Sequence, residues 1–310
     1  MKLYKAYLFS GFLLSLLFIT SCGKPNNKLH IATTLSASTI TPITDMFSRE
    51  TGIPILLTEV SSNIAINETK ADIFLTTDIT AIQHASNSKQ LQEIDSPILE
   101  TQIEPYLKSR KKDWFMFTIN PYTIVFNSDA VWKDDLSNYE NLKSQKWFKR
   151  LCLGSDKTAM KHLKILIRHQ KGNKKANQIF QDWHHNLSEK EQNSDLDLLN
   201  LLNSGQCDVS IVHASNLALF LLKNNNSPLQ VFWANQKTTG PLIQGSMAGI
   251  IKGSPHFKEA SRFLEWLTEK EPQEFFSKQL LSYPIRKDIP IHSIFSNWNT
   301  LKISTQNIRN

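Results

Sequence analysis

The sequence predicts an α/β fold, and two observations support this prediction. Short apolar runs that suit buried strands alternate along the chain with amphipathic segments that suit helices, which is the pattern of an α/β protein. The chain has 310 residues, of which 40% are hydrophobic and 20% are charged, so it is long enough for about two such domains. This composition excludes a disordered or a fibrous protein.

The N-terminal residues predict export from the cytoplasm. A short basic start precedes an apolar stretch over residues 7–19, which is shorter than the ~20 residues of a membrane-spanning helix and is typical of a secretory signal. The stretch closes on Ile-Thr-Ser-Cys-Gly at residues 19–23, which resembles the lipobox of bacterial lipoproteins. We therefore expect residues 1–21 to be a cleaved signal peptide, Cys22 to be lipidated, and residues 22–28 to form a lipidated tether. A plain signal peptide or an uncleaved anchor is the alternative.

The first part of the expected mature chain contains a repeated strand-and-helix pattern. Apolar runs predict strands at residues 29–33, 53–60 and 71–76. After the first strand, hydroxyl side chains at residues 36–39 suit the start of a helix, Pro42 suits its first turn, and Gly52 suits its end. Because the runs are short and almost wholly apolar, they predict a parallel sheet that is buried on both faces.

A longer β-rich stretch over residues 114–127 separates this pattern from the next one. Pro121 lies inside the stretch, and it suits a bend or a crossover better than a central strand. The alternation then resumes. Strands are predicted at residues 151–154, 208–212, 231–233 and 249–251, and helices around residues 160–166, 196–202, 217–222 and 257–267.

Three predicted strand-to-helix turns carry hydroxyl or amide side chains, at residues 34–38, 155–156 and 215–216. In open α/β sheets, ligands bind beyond the carboxyl ends of the strands, where helix N-termini present free N–H groups. The side chains in these turns are therefore candidate ligand contacts, and the alternative is that they only cap helices. His213, at the end of an apolar strand, is either a ligand contact or a hydrogen-bonded structural residue.

Charge, cysteine content and motif content exclude several function classes. The net charge of +7 is spread along the chain and does not indicate a nucleic-acid partner. The sequence contains no nucleophile elbow, no His-Glu-x-x-His zinc motif and no Walker or dinucleotide fingerprint, so we predict no enzyme activity and no cofactor. Three cysteines are too few for a disulfide scaffold. Cys152 and Cys207 form either one disulfide or two free buried thiols, and the sequence favours neither.

Seven short segments, taken in chain order, resemble segments of the periplasmic binding proteins for ferric ion. They are residues 47–53, 71–76, 124–127, 205–212, 245–252, 259–267 and 283–285. That family supplies the solute-binding components of ABC importers. The resemblance implies an α/β, two-lobe periplasmic binding protein-like fold with crossover hinge strands, and it implies an ABC permease as partner.

The resemblance also implies where the lobes divide. It assigns residues 29–120 and 243–272 to lobe 1, and residues 121–242 and 273–310 to lobe 2. The chain would then cross between the lobes near residues 120–123 and again near residues 241–246.

The residues of the expected site differ from the pattern of that family. Members of the family hold ferric ion with two adjacent tyrosines, and the matching positions here are Ser215 and Asn216. Neutral side chains do not supply the anionic oxygens that ferric ion prefers, so we expect a ferric complex or another polar anion as the ligand. No metal-ligand set is assigned. The predicted substrate-binding residues are Thr34, Ser36, Asp78, Asn120, Tyr122, Ser155, Asp156, His213, Ser215 and Asn216.

Together these observations predict an extracytoplasmic solute-binding lipoprotein of an ABC importer, of the iron, ferric-complex or polar-anion type. Its lipid would anchor it to a membrane in the periplasm or at the cell surface. The alternative is a surface lipoprotein that has lost transport and acts as a sensor or a partner-binding subunit.

Overall fold

The structure is a computed structural model, and it describes residues 28–155, 160–298 and 300–303. The predicted signal peptide, Cys22, the tether before Lys28, and Asp156 lie outside the described residues. Over those described ranges, we find no helix with the length and apolar character needed to cross a membrane.

Strands and helices alternate along the described chain. The strands are β1 (Leu29–Thr33), β2 (Ile55–Glu59), β3 (Ile73–Thr76), β4 (Phe115–Met116), β5 (Thr118–Asn127), β6 (Leu151–Cys152), β7 (Val209–His213), β8 (Leu229–Phe232), β9 (Ile243–Gln244), β10 (Met247–Ile250) and β11 (Tyr283–Pro284). The helices are α1 (Ala37–Thr51), α2 (Ile79–Asn87), α3 (Pro97–Gln102), α4 (Met160–Lys171), α5 (Asn173–His185), α6 (Asp195–Asn203), α7 (Ala214–Lys223), α8 (Phe257–Trp266) and α9 (Lys270–Gln279).

The first sheet has the strand order β2-β1-β3-β10-β4. β1 pairs in parallel with β2 and β3, whereas β10 pairs antiparallel with β3 and β4. The sheet is therefore mixed, and the prediction of a parallel sheet buried on both faces is wrong for β2. That strand forms the edge of the sheet, and Leu56 in it is 47% exposed. The core of this sheet is a hydrophobic cluster that includes Ile31, Phe47, Phe74 and Phe263.

The second sheet is built on the ten-residue strand β5. Along its length β5 pairs antiparallel with β11, then with β9, and then with β7 and β8, while β6 pairs in parallel with β7. The side chains of β5 alternate between two cores, since Ile124 and Phe126 pack in one cluster and Val125 packs in the other. Pro121 does not interrupt the strand, because it lies where β5 changes partners from β9 to β7.

β5 and β9 carry the chain between the two sheets. Ile119 and Ile243 pack in the core of the first sheet, whereas Tyr122 and Leu242 pack in a core of the second sheet. The fold is therefore a two-lobe α/β fold with crossover hinge strands, as predicted. We call the first sheet with its core the first lobe and the second sheet with its two cores the second lobe. The lobe boundaries placed by sequence number stay a prediction.

Two helix starts differ from the prediction. α1 begins at Ala37, so Pro42 lies inside the helix and not in its first turn. α7 begins at Ala214 with His213 as its N-cap, so Ser215 and Asn216 lie in the first turn and do not cap the helix. The predicted end of α1 is confirmed, because Gly52 adopts the left-handed conformation, with φ of 72°, that glycine reaches without steric cost.

The two cysteines of the second lobe form a disulfide. Cys152 in β6 is bonded to Cys207, which lies just before β7, and their Cα atoms are 5.9 Å apart. Both residues are buried. The bridge therefore links the last residue of β6 to a buried residue two positions before β7. Bonds of this kind persist outside the cytoplasm.

Candidate functional site

Gln244 lies at the centre of a polar cluster between the lobes. Its Oε1 atom accepts hydrogen bonds from the Tyr122 hydroxyl at 2.9 Å and from His213 Nε2 at 2.6 Å. Its Nε2 atom donates to the backbone carbonyl of Thr77 at 2.7 Å and lies 3.1 Å from His162 Nδ1. Because a carbonyl oxygen only accepts, Thr77 fixes the orientation of the Gln244 amide. Gln244 therefore joins β9 to the first lobe through Thr77 and to the second lobe through both histidines.

His213 and Asp195 form a buried pair beside Gln244. Asp195 Oδ2 accepts from the backbone N–H of His213 at 3.0 Å, lies 3.2 Å from His213 Nδ1, and accepts from Asn216 Nδ2 at 2.8 Å. Both ring nitrogens of His213 thus face acceptor oxygens, and only the protonated ring can donate from both. Burial opposes ionisation of Asp195, but the hydrogen bonds and charge of His213 lower its pKa below 3.8.

Asp78 and His162 form the second pair, which crosses between the lobes. Asp78 caps α2, whose Ile79 and Ala81 pack in the first lobe, whereas α4 carries His162 and packs in the second lobe. Asp78 Oδ1 lies 3.0 Å from His162 Nε2. Burial alone would raise the pKa of Asp78, but hydrogen bonds from His162 and Thr80 hold it well below 3.8.

His162 has one consistent set of hydrogen bonds. Its Nδ1 faces the donating Nε2 atom of Gln244, so Nδ1 accepts, while Nε2 donates to Asp78. The neutral tautomer with the proton on Nε2 satisfies both contacts. The orientation that Thr77 imposes on Gln244 therefore also determines the tautomer of His162.

Tyr122 completes the cluster as a neutral phenol. Its ring is 1% exposed and lies against the ring of His213, with 4.7 Å between their centroids. Burial raises the pKa of Tyr122 well above 10.0, and the negative charges of Asp195 and Asp78 add to this rise. The hydroxyl is therefore a donor, not an anionic metal ligand. We define the interlobe cluster by six residues: Asp78, Tyr122, His162, Asp195, His213 and Gln244.

The structure brings several of the predicted site residues to this cluster. Thr34 Oγ1 lies 2.7 Å from Thr76 Oγ1, which in turn accepts from the backbone N–H of Asp78 at 2.9 Å. Asn120 stands opposite Gln244 in the pairing of β5 with β9, and it exchanges two hydrogen bonds with Ser215. Thr34, Asn120, Ser215 and Asn216 thus form an outer shell of hydroxyls and amides.

Two other predicted residues, Ser36 and Ser155, have hydrogen bonds to neighbours that are not members of the cluster. Ser36 is exposed at the start of α1 and its hydroxyl contacts Ser38 and Thr39. Ser155 donates to Asn193 at 3.1 Å in the loop before α6. Asp156 is outside the described residues. As ligand contacts, these three residues stay predictions.

Sequence reasoning missed half of the interlobe cluster, namely His162, Asp195 and Gln244. Gln244 falls in the predicted crossover near residues 241–246, so a search of that segment for polar side chains would have found it. Asp195 is an acidic residue in the first turn of α6, a position that is more often explained by the helix dipole. His162 carries no local signal, because only the closure of the lobes brings it to Asp78.

Among the described residues, a small cavity lies beside the cluster. Its volume is about 10 Å³, and it is lined by Tyr122, His162, Ile243 and Gln244 among others. Within the described part of the chain, no three His, Cys, Asp or Glu side chains lie close enough together to hold a metal ion. The cluster in this state is a set of mutually satisfied hydrogen bonds.

Comparisons with known proteins agree with this architecture. The chain is 25% identical over 278 residues to iron uptake protein A1 of Synechocystis, covering 84% of this chain and 77% of that protein. It is 23% identical to the major ferric iron-binding protein of Neisseria meningitidis, covering 80% of this chain and 77% of that one.

Solved structures share the fold. The Trichodesmium protein IdiA (FutA), in complex with iron and citrate ligands, superposes with a TM-score of 0.82 at 24% identity, covering 91% of this chain and 93% of that one. The ferric binding protein of Campylobacter jejuni gives a TM-score of 0.81, also at 24% identity, over 91% and 94% of the two chains. Residues 29–279 match the family described as bacterial extracellular solute-binding proteins. This match spans most of the chain and both sheets, so the chain belongs to the family of bacterial extracellular solute-binding proteins.

Proposed function

We propose that this protein is the solute-binding component of an ABC importer and that its cargo is iron carried as a ferric complex. One observation carries the proposal: polar side chains from both lobes meet at the hinge strands. A ligand held there contacts both lobes at once, so it stabilises the closed form by its differential affinity for that form. Relatives named as iron uptake and ferric iron-binding proteins support iron as the cargo.

The chemistry of the cluster favours a complex over bare ferric ion. Tyr122 is a neutral donor, and each carboxylate of the cluster is already paired with a histidine. Hydroxyls, amides and an imidazolium bind the oxygens of an anion, whereas a hard trivalent cation needs anionic oxygen ligands. A ferric polycarboxylate presents carboxylate oxygens to such donors. The predicted site residues Asn120, Ser215 and Asn216 would extend this set of donors.

The proposed location is outside the cytoplasmic membrane. The Cys152–Cys207 disulfide supports it, because such bonds persist in oxidising compartments. We propose that cleavage before Cys22 and lipidation of Cys22 anchor the protein to the membrane. Its partner would be an ABC permease in that membrane, and neither an enzyme activity nor a nucleic-acid partner is part of the proposal.

A thermal-shift measurement tests the proposed cargo. Purified protein is heated with ferric citrate, with citrate alone, with phosphate, and with ferric ion held by a weaker chelator. Ligand at about 100 times its Kd stabilises the native state by about 2.7 kcal/mol, which raises Tm by several degrees. Ferric citrate should give the largest rise. If none of these solutes raises Tm, the protein is not an iron receptor of this kind.

One observation favours the alternative of a receptor that has lost transport. The side chains of the interlobe cluster bond one another, and the cavity that the described residues line beside them is very small. A sensor or partner-binding subunit could keep such a closed form without any cargo. The measurement above separates a solute receptor from a partner-binding subunit that has lost its cargo, because only a protein that binds the small solute gains stability from it.

A further inference from the structure

We infer that Gln244 is a built-in competitor of the ligand, and that its side-chain amide occupies the position of a ligand carboxylate. This inference rests on the proposed function, and it names the residue that sets the affinity and the ligand class of the interlobe site. The ligand class is a carboxylate-bearing chelate whose oxygen replaces Gln244 Oε1.

Two hydrogen-bond donors point at Gln244 Oε1. That oxygen receives the Tyr122 hydroxyl at 2.9 Å and the imidazolium N–H of His213 at 2.6 Å. Two donors, one of them cationic, thus converge on a single neutral amide oxygen. Charge-assisted hydrogen bonds are roughly twice as strong as neutral ones. A carboxylate oxygen at the same point would therefore be bound more tightly than the amide is.

The two carboxylates lie on different sides of the Gln244 amide. The charge of Asp195 is offset by His213, whose Nε2 donates to Gln244 Oε1, whereas Asp78 is hydrogen-bonded to the neutral His162 on the Nε2 side of the amide. A metal ion bound by the same imidazoles would have to displace the Nε2 proton of His213. An anion accepts a hydrogen bond from that N–H without any change in the protonation of His213. The protonation pattern thus favours an anionic group over a bare cation.

Gln244 is held in place by a hydrogen bond to Thr77, and we expect this bond to break when the lobes open. Its Nε2 atom donates to the Thr77 carbonyl of the first lobe, whereas Tyr122 and His213 belong to the second lobe. When the lobes separate, the amide loses Thr77 and is free to rotate away from Tyr122 and His213. The cavity that described residues line beside the amide has a volume of about 10 Å³, which is too small for a carboxylate while the amide stays in place.

Competition by Gln244 lowers the affinity of the site for its ligand. In some of the molecules Gln244 occupies the site, and only the remaining fraction is able to bind ligand. The apparent affinity for ligand is the intrinsic affinity multiplied by that remaining fraction. Gln244→Ala removes the competitor and should tighten binding of ferric citrate about tenfold. Gln244→Glu places a carboxylate in the site permanently, so it should weaken binding at least tenfold. A residue that merely supports the fold would not shift affinity in opposite directions in these two variants.

Isothermal titration calorimetry with ferric citrate and with citrate alone tests the inference on the purified protein. Gln236→Ala is the matched control, since Gln236 bonds Lys302 and not the cluster. Gln244→Asn keeps an amide on a side chain that is one methylene shorter, and it should also tighten binding. This variant replaces Gln244→Ala in the test if the alanine variant does not fold. His213→Gln, which removes the cationic donor, should weaken binding at least tenfold.

The outcomes separate the inference from the proposed function. If the unaltered protein binds ferric citrate but neither Gln244→Ala nor Gln244→Asn binds it more tightly, Gln244 is not a competitor and only the inference fails. If Gln244→Ala gains affinity for Zn²⁺ and not for either carboxylate probe, the site is a cation site and the inference also fails. If the unaltered protein and all variants bind none of the probes, the proposed function fails and the inference falls with it.

Discussion

At the scale of single residues, the buried Asp195 carboxylate accepts three hydrogen bonds. They come from the backbone and ring of His213 and from Asn216. We predict that Asp195→Asn lowers the free energy of unfolding by about 3 kcal/mol at pH 7, because it leaves the His213 cation without its buried counter-charge. Urea unfolding measures this loss. Asp197→Asn is the matched control, since Asp197 is exposed in the same helix turn and should cost no more than about 1 kcal/mol.

The same residue gives a prediction about pH. The pKa of Asp195 is lower in the folded protein than its ordinary value of 3.8. Its charge therefore adds stability in full above that value, and the contribution is lost as pH falls through the lower folded pKa. The difference in unfolding free energy between the unaltered protein and Asp195→Asn should be smaller at pH 3 than at pH 7. A difference that is equal at both pH values, or larger at pH 3, would contradict this assignment.

At the scale of elements, the disulfide stabilises the short strand β6 against β7. The bridge closes a loop with a sequence separation of 55 residues. By the loop-entropy estimate we predict that reduction lowers the free energy of unfolding by about 4 kcal/mol. Urea unfolding with and without reductant measures the effect, and the double variant Cys152→Ala with Cys207→Ala should unfold like the reduced protein. If the native protein shows two free thiols before any reductant is added, the bond is absent and the prediction fails.

The elements also show how far the sequence could predict this protein. Strand positions and α/β alternation follow from apolar runs, which are local, and the structure confirms most of them. The pairing of β10 between β3 and β4 is antiparallel and joins residues more than a hundred positions apart. No local pattern carries that information. Tyr122 and His213 lie in or at the end of apolar strands, so the sequence predicted them as site residues. His162 lies on an ordinary amphipathic helix, so the sequence did not predict it.

Helix caps show a second limit of sequence reasoning. Hydroxyl residues after strands suggested ligand-binding turns, yet Ser36 contacts its own helix turn and Ser215 bonds Asn120. A Ser or Asn side chain satisfies whichever partner the fold brings close, and sequence does not specify that partner. Gln244 lies in the predicted crossover, where its polar side chain was a usable signal, but the sequence does not show which partners its amide meets. Its role follows from the position of its amide between His162 and His213, which only the folded chain brings together.

At the scale of the whole molecule, Asp78 and His162 form a direct side-chain contact between the lobes. It joins α2 of the first lobe to α4 of the second lobe with 3.0 Å between Asp78 Oδ1 and His162 Nε2. Hydrogen bonds to charged groups contribute about 1.5–3 kcal/mol. We therefore predict that His162→Ala shifts the ratio of open to closed molecules by roughly tenfold to hundredfold toward the open form in the absence of ligand.

Small-angle X-ray scattering measures this shift as a larger radius of gyration for the variant. Lys171→Gln is the matched control, because Lys171 lies on the same helix and pairs with Glu140, within the second lobe, at 2.7 Å. That change should leave the radius unaltered, since the pair that it breaks lies within one lobe. If His162→Ala and Lys171→Gln give the same radius as the unaltered protein, the contact between Asp78 and His162 does not hold the lobes together. Closure would then depend on Gln244 and the Thr77 carbonyl, and Gln244→Ala should produce the expansion that His162→Ala did not.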